Sequence, residues 1–186
     1  MITEMEKYNM KKLRYINNIN IIYVLFFVLT GLASFTHAGD LLVSFTPEYL
    51  TILPGESETL QLNYDVLSGK KGTTGLTLRI HYNSKLISSV LFEDMYGEGL
   101  IGHDYTAKKD TKDLDNDPKT DKFLCIGWVG ITGDWPEIFT PPMSLGKIIV
   151  QAMPDAIHSE SFINITANST PAGYSLNVQR MTVLIP

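Results

Sequence analysis

Five aspartates stand close together in this chain, Asp110, Asp113, Asp115, Asp117 and Asp121, and from the second onward they run Asp113-Leu-Asp115-Asn-Asp117-Pro-Lys-Thr-Asp121. Carboxylates at every second position of a looping segment can converge on one hard cation, because Ca²⁺ takes about six to eight oxygen ligands in a flexible geometry. The spacing follows the early positions of a calcium loop but is not an EF-hand. Pro118 stands where that loop needs glycine, and Leu124 where it needs a bidentate glutamate. Ca²⁺ is therefore the cofactor expected here, held by these five aspartates. The alternative is a solvated acidic loop whose repulsion is relieved by Lys108, Lys109, Lys112 and Lys119.

Aromatic rings are the second candidate chemistry, since a flat apolar face stacks on a sugar while polar neighbours bond its hydroxyls. Trp128 and Trp135 lead, with Tyr96 and Tyr105 behind them. The competing reading has Trp128 filling the core and Trp135 capping its edge. Catalysis finds less support. His81 falls on the polar face of a strand pattern, His103 and His158 fall in loops, and no nucleophile or metalloprotease spacing connects them. The acids cluster in one loop instead of facing each other across a cleft, as a glycosidase would need. Cys125 reads as a strand thiol. No enzyme is expected, and no catalytic residue is assigned. Asn164-Ile-Thr166 and Asn168-Ser-Thr170 match the N-glycosylation pattern, which matters only in a eukaryotic source.

The elements that must position these groups are strands. Leu60, Leu62, Tyr64 and Val66 alternate with Gln61, Asn63 and Asp65, and Leu76, Leu78, Ile80 and Tyr82 alternate with Thr77, Arg79 and His81. Each pattern puts apolar side chains on one sheet face and polar ones on the other. Further strands are expected over residues 41–46, 49–53, 86–92, 122–130, 145–152, 161–167 and 174–184, separated by turn formers such as Pro54-Gly55 and Pro141-Pro142. No sustained helical period interrupts them. The expectation is an all-β, two-sheet jelly-roll (Greek-key) sandwich of about nine strands. One strand, Phe123-Leu-Cys-Ile-Gly-Trp-Val129, is apolar on both faces. Its outer face is either covered by a neighbouring segment or a binding surface. The connection before it spans roughly 29 residues, and loops beyond about 15 in a compact domain tend to be functional or disordered.

Composition narrows the class. At 186 residues, 44% hydrophobic and 19% charged, the chain suits one globular domain and not a disordered or multi-pass membrane protein. A net charge of -5 speaks against a nucleic-acid partner, and a single cysteine rules out an intramolecular disulfide. Residues 1–38 read as a secretory signal peptide: Lys11, Lys12 and Arg14, an apolar run of about 15 residues, then Thr36-His37-Ala38 before the cut. That run is short of the roughly 20 residues that span a bilayer, so no membrane span is expected after cleavage. The domain is then 39–186, and its location secreted, periplasmic or at the cell surface. Without the leader, 11 basic and 18 acidic residues remain, a charge of -7. Residues 93–121 hold nine of those acids and four lysines, so the acidity is concentrated in the long connection.

The run Gly75-Leu-Thr-Leu-Arg-Ile-His-Tyr-Asn-Ser-Lys-Leu-Ile-Ser-Ser-Val90 resembles the strand-turn-strand signature of cohesin domains. Pro54-Gly55-Glu56 leading into Thr59-Leu-Gln-Leu62 is similar to that family's early turn and strand, and Leu145-Gly-Lys-Ile-Ile-Val-Gln-Ala152 to a later one. Cohesins share a nine-stranded jelly roll with several carbohydrate-binding modules. The resemblance thus implies a non-catalytic module that binds an extracellular polysaccharide or protein partner, the polysaccharide slightly favoured. A calcium-stabilised surface adhesion or structural domain is the alternative, and a small secreted hydrolase comes last. Oligomeric state is left open.

Overall fold

Segments with one face to bury and one to wet form strands here throughout. The structure, a computed structural model, describes residues 37–138 and 140–186. The chain forms β1 (Gly39–Thr46), β2 (Tyr49–Thr51), β3 (Ser57–Ser68), β4 (Gly75–Tyr82), β5 (Ile87–Glu93), β6 (Leu100–His103), β7 (Lys108–Lys109), β8 (Lys122–Val129), β9 (Met143–Ala152), β10 (Ser159–Ser169), β11 (Tyr174–Val178) and β12 (Met181–Ile185). One sheet runs β11-β1-β3-β9-β5, and the other β2-β12-β10-β4-β8-β6 with β7 also on β8. This is the all-β, two-sheet sandwich expected from the alternation. Among the described residues no helix is long and apolar enough to cross a membrane. The leader expected over 1–38 lies, up to residue 36, outside the described residues.

Among the described residues twelve strands stand where about nine were expected, for two reasons. The long connection contributes β6 and β7, both antiparallel to β8. The segment 174–184 is two strands in different sheets. β11 runs parallel to β1 in the first, and β12 runs antiparallel to β10 and parallel to β2 in the second. Between them the Gln179 N–H donates to the Val43 carbonyl at 3.1 Å, which ties the crossing to β1.

The two inner faces meet as Leu41, Val43, Leu60, Leu62, Ile148 and Val150 against Leu78, Ile80, Leu124, Ile126, Ile163 and Val183, all buried. Burying them removes their apolar surface from water, the main favourable contribution to folding. On β9 both Leu145 and Ile148 are buried although they are an odd number of residues apart. A bulge resolves this: Leu62 pairs with Gly146 but Asn63 with Ser144, which leaves Leu145 as the extra residue. Gly146 has φ +141°, and a Cβ there would lie 2.5 Å from the Met95 Cε.

Aromatic rings plug one end of the sandwich. Trp135 lies 6.1 Å from Trp128, 5.3 Å from Tyr64 and 6.1 Å from Tyr96, centroid to centroid. It is held by a reciprocal backbone pair with Thr73, at 2.8 and 2.9 Å. Its indole N–H donates to the Glu98 carbonyl at 3.2 Å, and that of Trp128 to the Tyr96 carbonyl at 3.0 Å, so neither buried donor is left unpaired.

Trp135→Ala is expected to cost about 3–5 kcal/mol in urea-induced unfolding, because it opens a cavity under three other rings. Gly75→Ala is expected to lower the unfolding free energy from urea titration by more than about 1 kcal/mol. At that position φ is +110° and an added Cβ would sit 2.1 Å from the Trp128 carbonyl oxygen.

Candidate functional site

The outer face of the β2-β12-β10-β4-β8-β6 sheet is where the chemistry-bearing residues collect. Register places Asn164 of β10 beside His81 of β4, and His81 beside Phe123 of β8. Thr166, Arg79 and Cys125 form the next row. Alternation alone turns this face to solvent. The connection from Asp104 to Asp121 instead lies against it, and His81 becomes fully buried.

The five aspartates do not converge on one point, and the ligand set expected for calcium divides. Asp110 Oδ2 lies 3.0 Å from His81 Nδ1, and Asp115 Oδ1 lies 3.9 Å from the same atom. The other Asp115 oxygen accepts from Thr120 Oγ1 at 2.6 Å and from Asn164 Nδ2 at 2.7 Å. Asp117 pairs with Arg180, whose guanidinium also lies 3.5 Å over the Phe162 ring. Asp121 accepts from the Ser84 N–H at 2.7 Å and its hydroxyl at 2.8 Å, pinning the end of the connection to the turn after β4. Asp113 is exposed, with φ +51°. The reason for the division is the sheet beneath: its polar face supplies separate partners, which a reading of the loop alone leaves out.

His81 and Asn164 are the residues that sequence reasoning missed. His81 was placed on a polar strand face with no partner, and Asn164 appeared only within a glycosylation pattern. The signal for His81 was the shared face of Arg79 and His81, but nothing local says which loop returns to cover it. Burial lowers the His81 pKa, against the pull of Asp115 and Asp110, which favours the neutral imidazole.

The doubly apolar strand is covered over much of its outer face. The Phe123 ring lies 5.4 Å from the His81 ring, and the Cys125 N–H donates to Asp104 at 3.0 Å. Cys125 is half-buried, its thiol pKa raised first by burial and then by Asp104. The tryptophans are a correction to the sugar-stacking assignment. Trp128 and Trp135 are 0% and 1% exposed, so neither ring offers a face to a ligand. Tyr96 is half-buried and bonds Glu98. Of the four aromatics only Tyr105 stands exposed, its ring 4.4 Å from that of His103.

A different surface is open. At the β6 edge Leu100, Val129, Ile131 and Ile138 are exposed, the last two by 84% and 76%. Leu100, Ile131 and Ile138, with Gly130 and the edge of Trp135, line a groove of about 420 Å³. Glu98 sets its shape, accepting from the N–H groups of Glu137 at 2.7 Å and Ile138 at 3.2 Å. Partial burial pushes the Glu98 pKa up, but these donors and the Tyr96 hydroxyl bring it below the usual carboxylate value.

No family model matches the sequence, and no curated protein matches it. Solved structures do. The third ScaC cohesin of Acetivibrio cellulolyticus, solved with the ScaB dockerin, superposes with a TM-score of 0.52 at 9% identity, over 78% of this chain and 98% of that one. The Coh-OlpC domain of a type I cohesin-dockerin complex from Clostridium thermocellum does so with a TM-score of 0.51 at 14% identity, over 82% of this chain and 96% of that one. At these identities the likeness is one of fold, and it agrees with the ordered strand pattern: the described domain is a cohesin-like β-sandwich.

Proposed function

We propose that this domain is an exported, non-catalytic binding module that docks a protein partner of the dockerin kind. The observation that carries the reading is the exposed apolar patch of Leu100, Val129, Ile131 and Ile138 on a fold shared with two cohesins solved as cohesin-dockerin complexes. Exposed aliphatic clusters with a polar rim mark protein interaction sites. β6 ends its sheet, so the patch adjoins a strand edge open to a partner. Glu98 and Glu137 border the groove, which suits a partner with a basic border.

A protein is favoured over a polysaccharide because both tryptophans are in the core and, of the four candidate aromatics, Tyr105 alone is exposed, which makes no stacking platform. The raised Cys125 pKa agrees with a non-catalytic reading, since a nucleophilic thiol needs the opposite shift. Export is supported by the basic-then-apolar leader, and an exported module meets its partner outside the cytoplasm.

Surface plasmon resonance against purified dockerin modules tests the reading. Binding in the micromolar range or tighter is expected, and the double variant Ile131→Asp, Ile138→Asp is expected to weaken it by about tenfold or more. Both side chains are exposed, so the variant should melt as the parent does. Absence of binding to every module, together with retention on polysaccharide gels that the double variant does not change, would reject a protein-docking role.

A further inference from the structure

Two carboxylates and an imidazole share one buried point beneath the acidic connection. The side chains of His81 and Asp110 are 0% exposed and that of Asp115 is 1% exposed, and one donor atom from each lies within 4.8 Å of the others. Among the described residues neither Asp110 nor Asp115 pairs with a lysine or arginine; the nearby Arg180 is taken by Asp117. His81 Nδ1 makes no hydrogen bond of good geometry, although Asp110 Oδ2 is 3.0 Å away. The opposite ring nitrogen is engaged with Thr166 Oγ1 at 2.8 Å. When Nε2 donates to that hydroxyl, Nδ1 turns a lone pair toward two carboxylate oxygens. Three electron-rich atoms facing one another without solvent are stable only around a positive charge.

We propose that His81 Nδ1, Asp110 Oδ2 and Asp115 Oδ1 bind one divalent transition cation, zinc before others, and that this ion clamps the acidic connection to the sheet. A tetrahedral zinc with bonds of about 2.0–2.2 Å places its ligand atoms about 3.4 Å apart. The observed separations from Nδ1, 3.0 and 3.9 Å, bracket that value. The surroundings already orient the ligands. Thr166 fixes the imidazole, Thr120 and Asn164 hold the outer oxygen of Asp115, and the Leu114 N–H holds Asp110 at 3.0 Å. The imidazole decides the class of ion, because Ca²⁺ prefers an all-oxygen cage whereas imidazole suits zinc and its first-row neighbours. The three ligands leave a fourth position for water. The site is independent of the docking patch, and either can fail without the other.

Calorimetric titration of the full chain with zinc chloride, after chelator treatment, tests it. One ion per chain is expected, with a rise in melting temperature that Ca²⁺ does not produce. His81→Gln and Asp110→Asn should abolish binding, Thr166→Val should weaken it about 10–100-fold, and exposed Asp113→Asn should leave it unchanged. Cobalt(II) bound to the unaltered chain should show a visible absorption band that Thr166→Val shifts or weakens, a readout that holds if ligand variants fold poorly. A chain that takes up neither zinc nor cobalt would leave a plain histidine-aspartate contact and overturn the proposal. So would binding of calcium that His81→Gln leaves intact.

Discussion

Buried charge must be met by opposite charge or by hydrogen bonds, and that constraint shapes the outer face of the larger sheet. A strand apolar on both faces needs cover over Phe123 and Cys125, and the segment that supplies it is the most acidic in the chain. Bringing that segment down costs the desolvation of its carboxylates. The cost is met piecemeal by what the sheet offers: Ser84 for Asp121, Arg180 for Asp117, Asn164 and Thr120 for Asp115. Asp113, which finds no partner below, turns outward. The contact among Asp110, Asp115 and His81 is the least well met of these, and the clamp argued above resides there.

Covering one face has a consequence for recognition. With the acidic connection over β10, β4 and β8, the larger sheet keeps its freest apolar surface at the β6 edge. The two tryptophans, which a ligand search would single out first, stiffen the end of the sandwich just behind that edge. Trp135 and Glu98 together fix the segment carrying Ile138, through a backbone pair with Thr73 on one side and N–H donors on the other. Aromatic residues here position a surface without being part of its contact, and the aliphatic side chains they support form the contact itself.

The division of the chain's end between two sheets follows from the same economy of partners. β1 and β2 lie in different sheets, each with an edge to be paired, and β11 and β12 complete one apiece. Arg180 at the crossing serves twice, over the Phe162 ring and against Asp117, so the connection that closes the sandwich also holds the acidic segment.

The sequence by itself determined the principal strands, their inward faces and the fold, but not the short β6 and β7, because period-two alternation is a local property that dictates which side of each residue must leave water. It also located the acid within one connection and resembled a cohesin strongly enough in strand order to name the architecture. It did not contain the break at Gln179 and Arg180, since alternation tells a strand which way to face and not which neighbour to join. Nor did it pair His81 with Asp110 and Asp115 or bury Trp135. Those are contacts between residues far apart in the chain, and only closing the loops in three dimensions brings a polar strand face under an acidic roof.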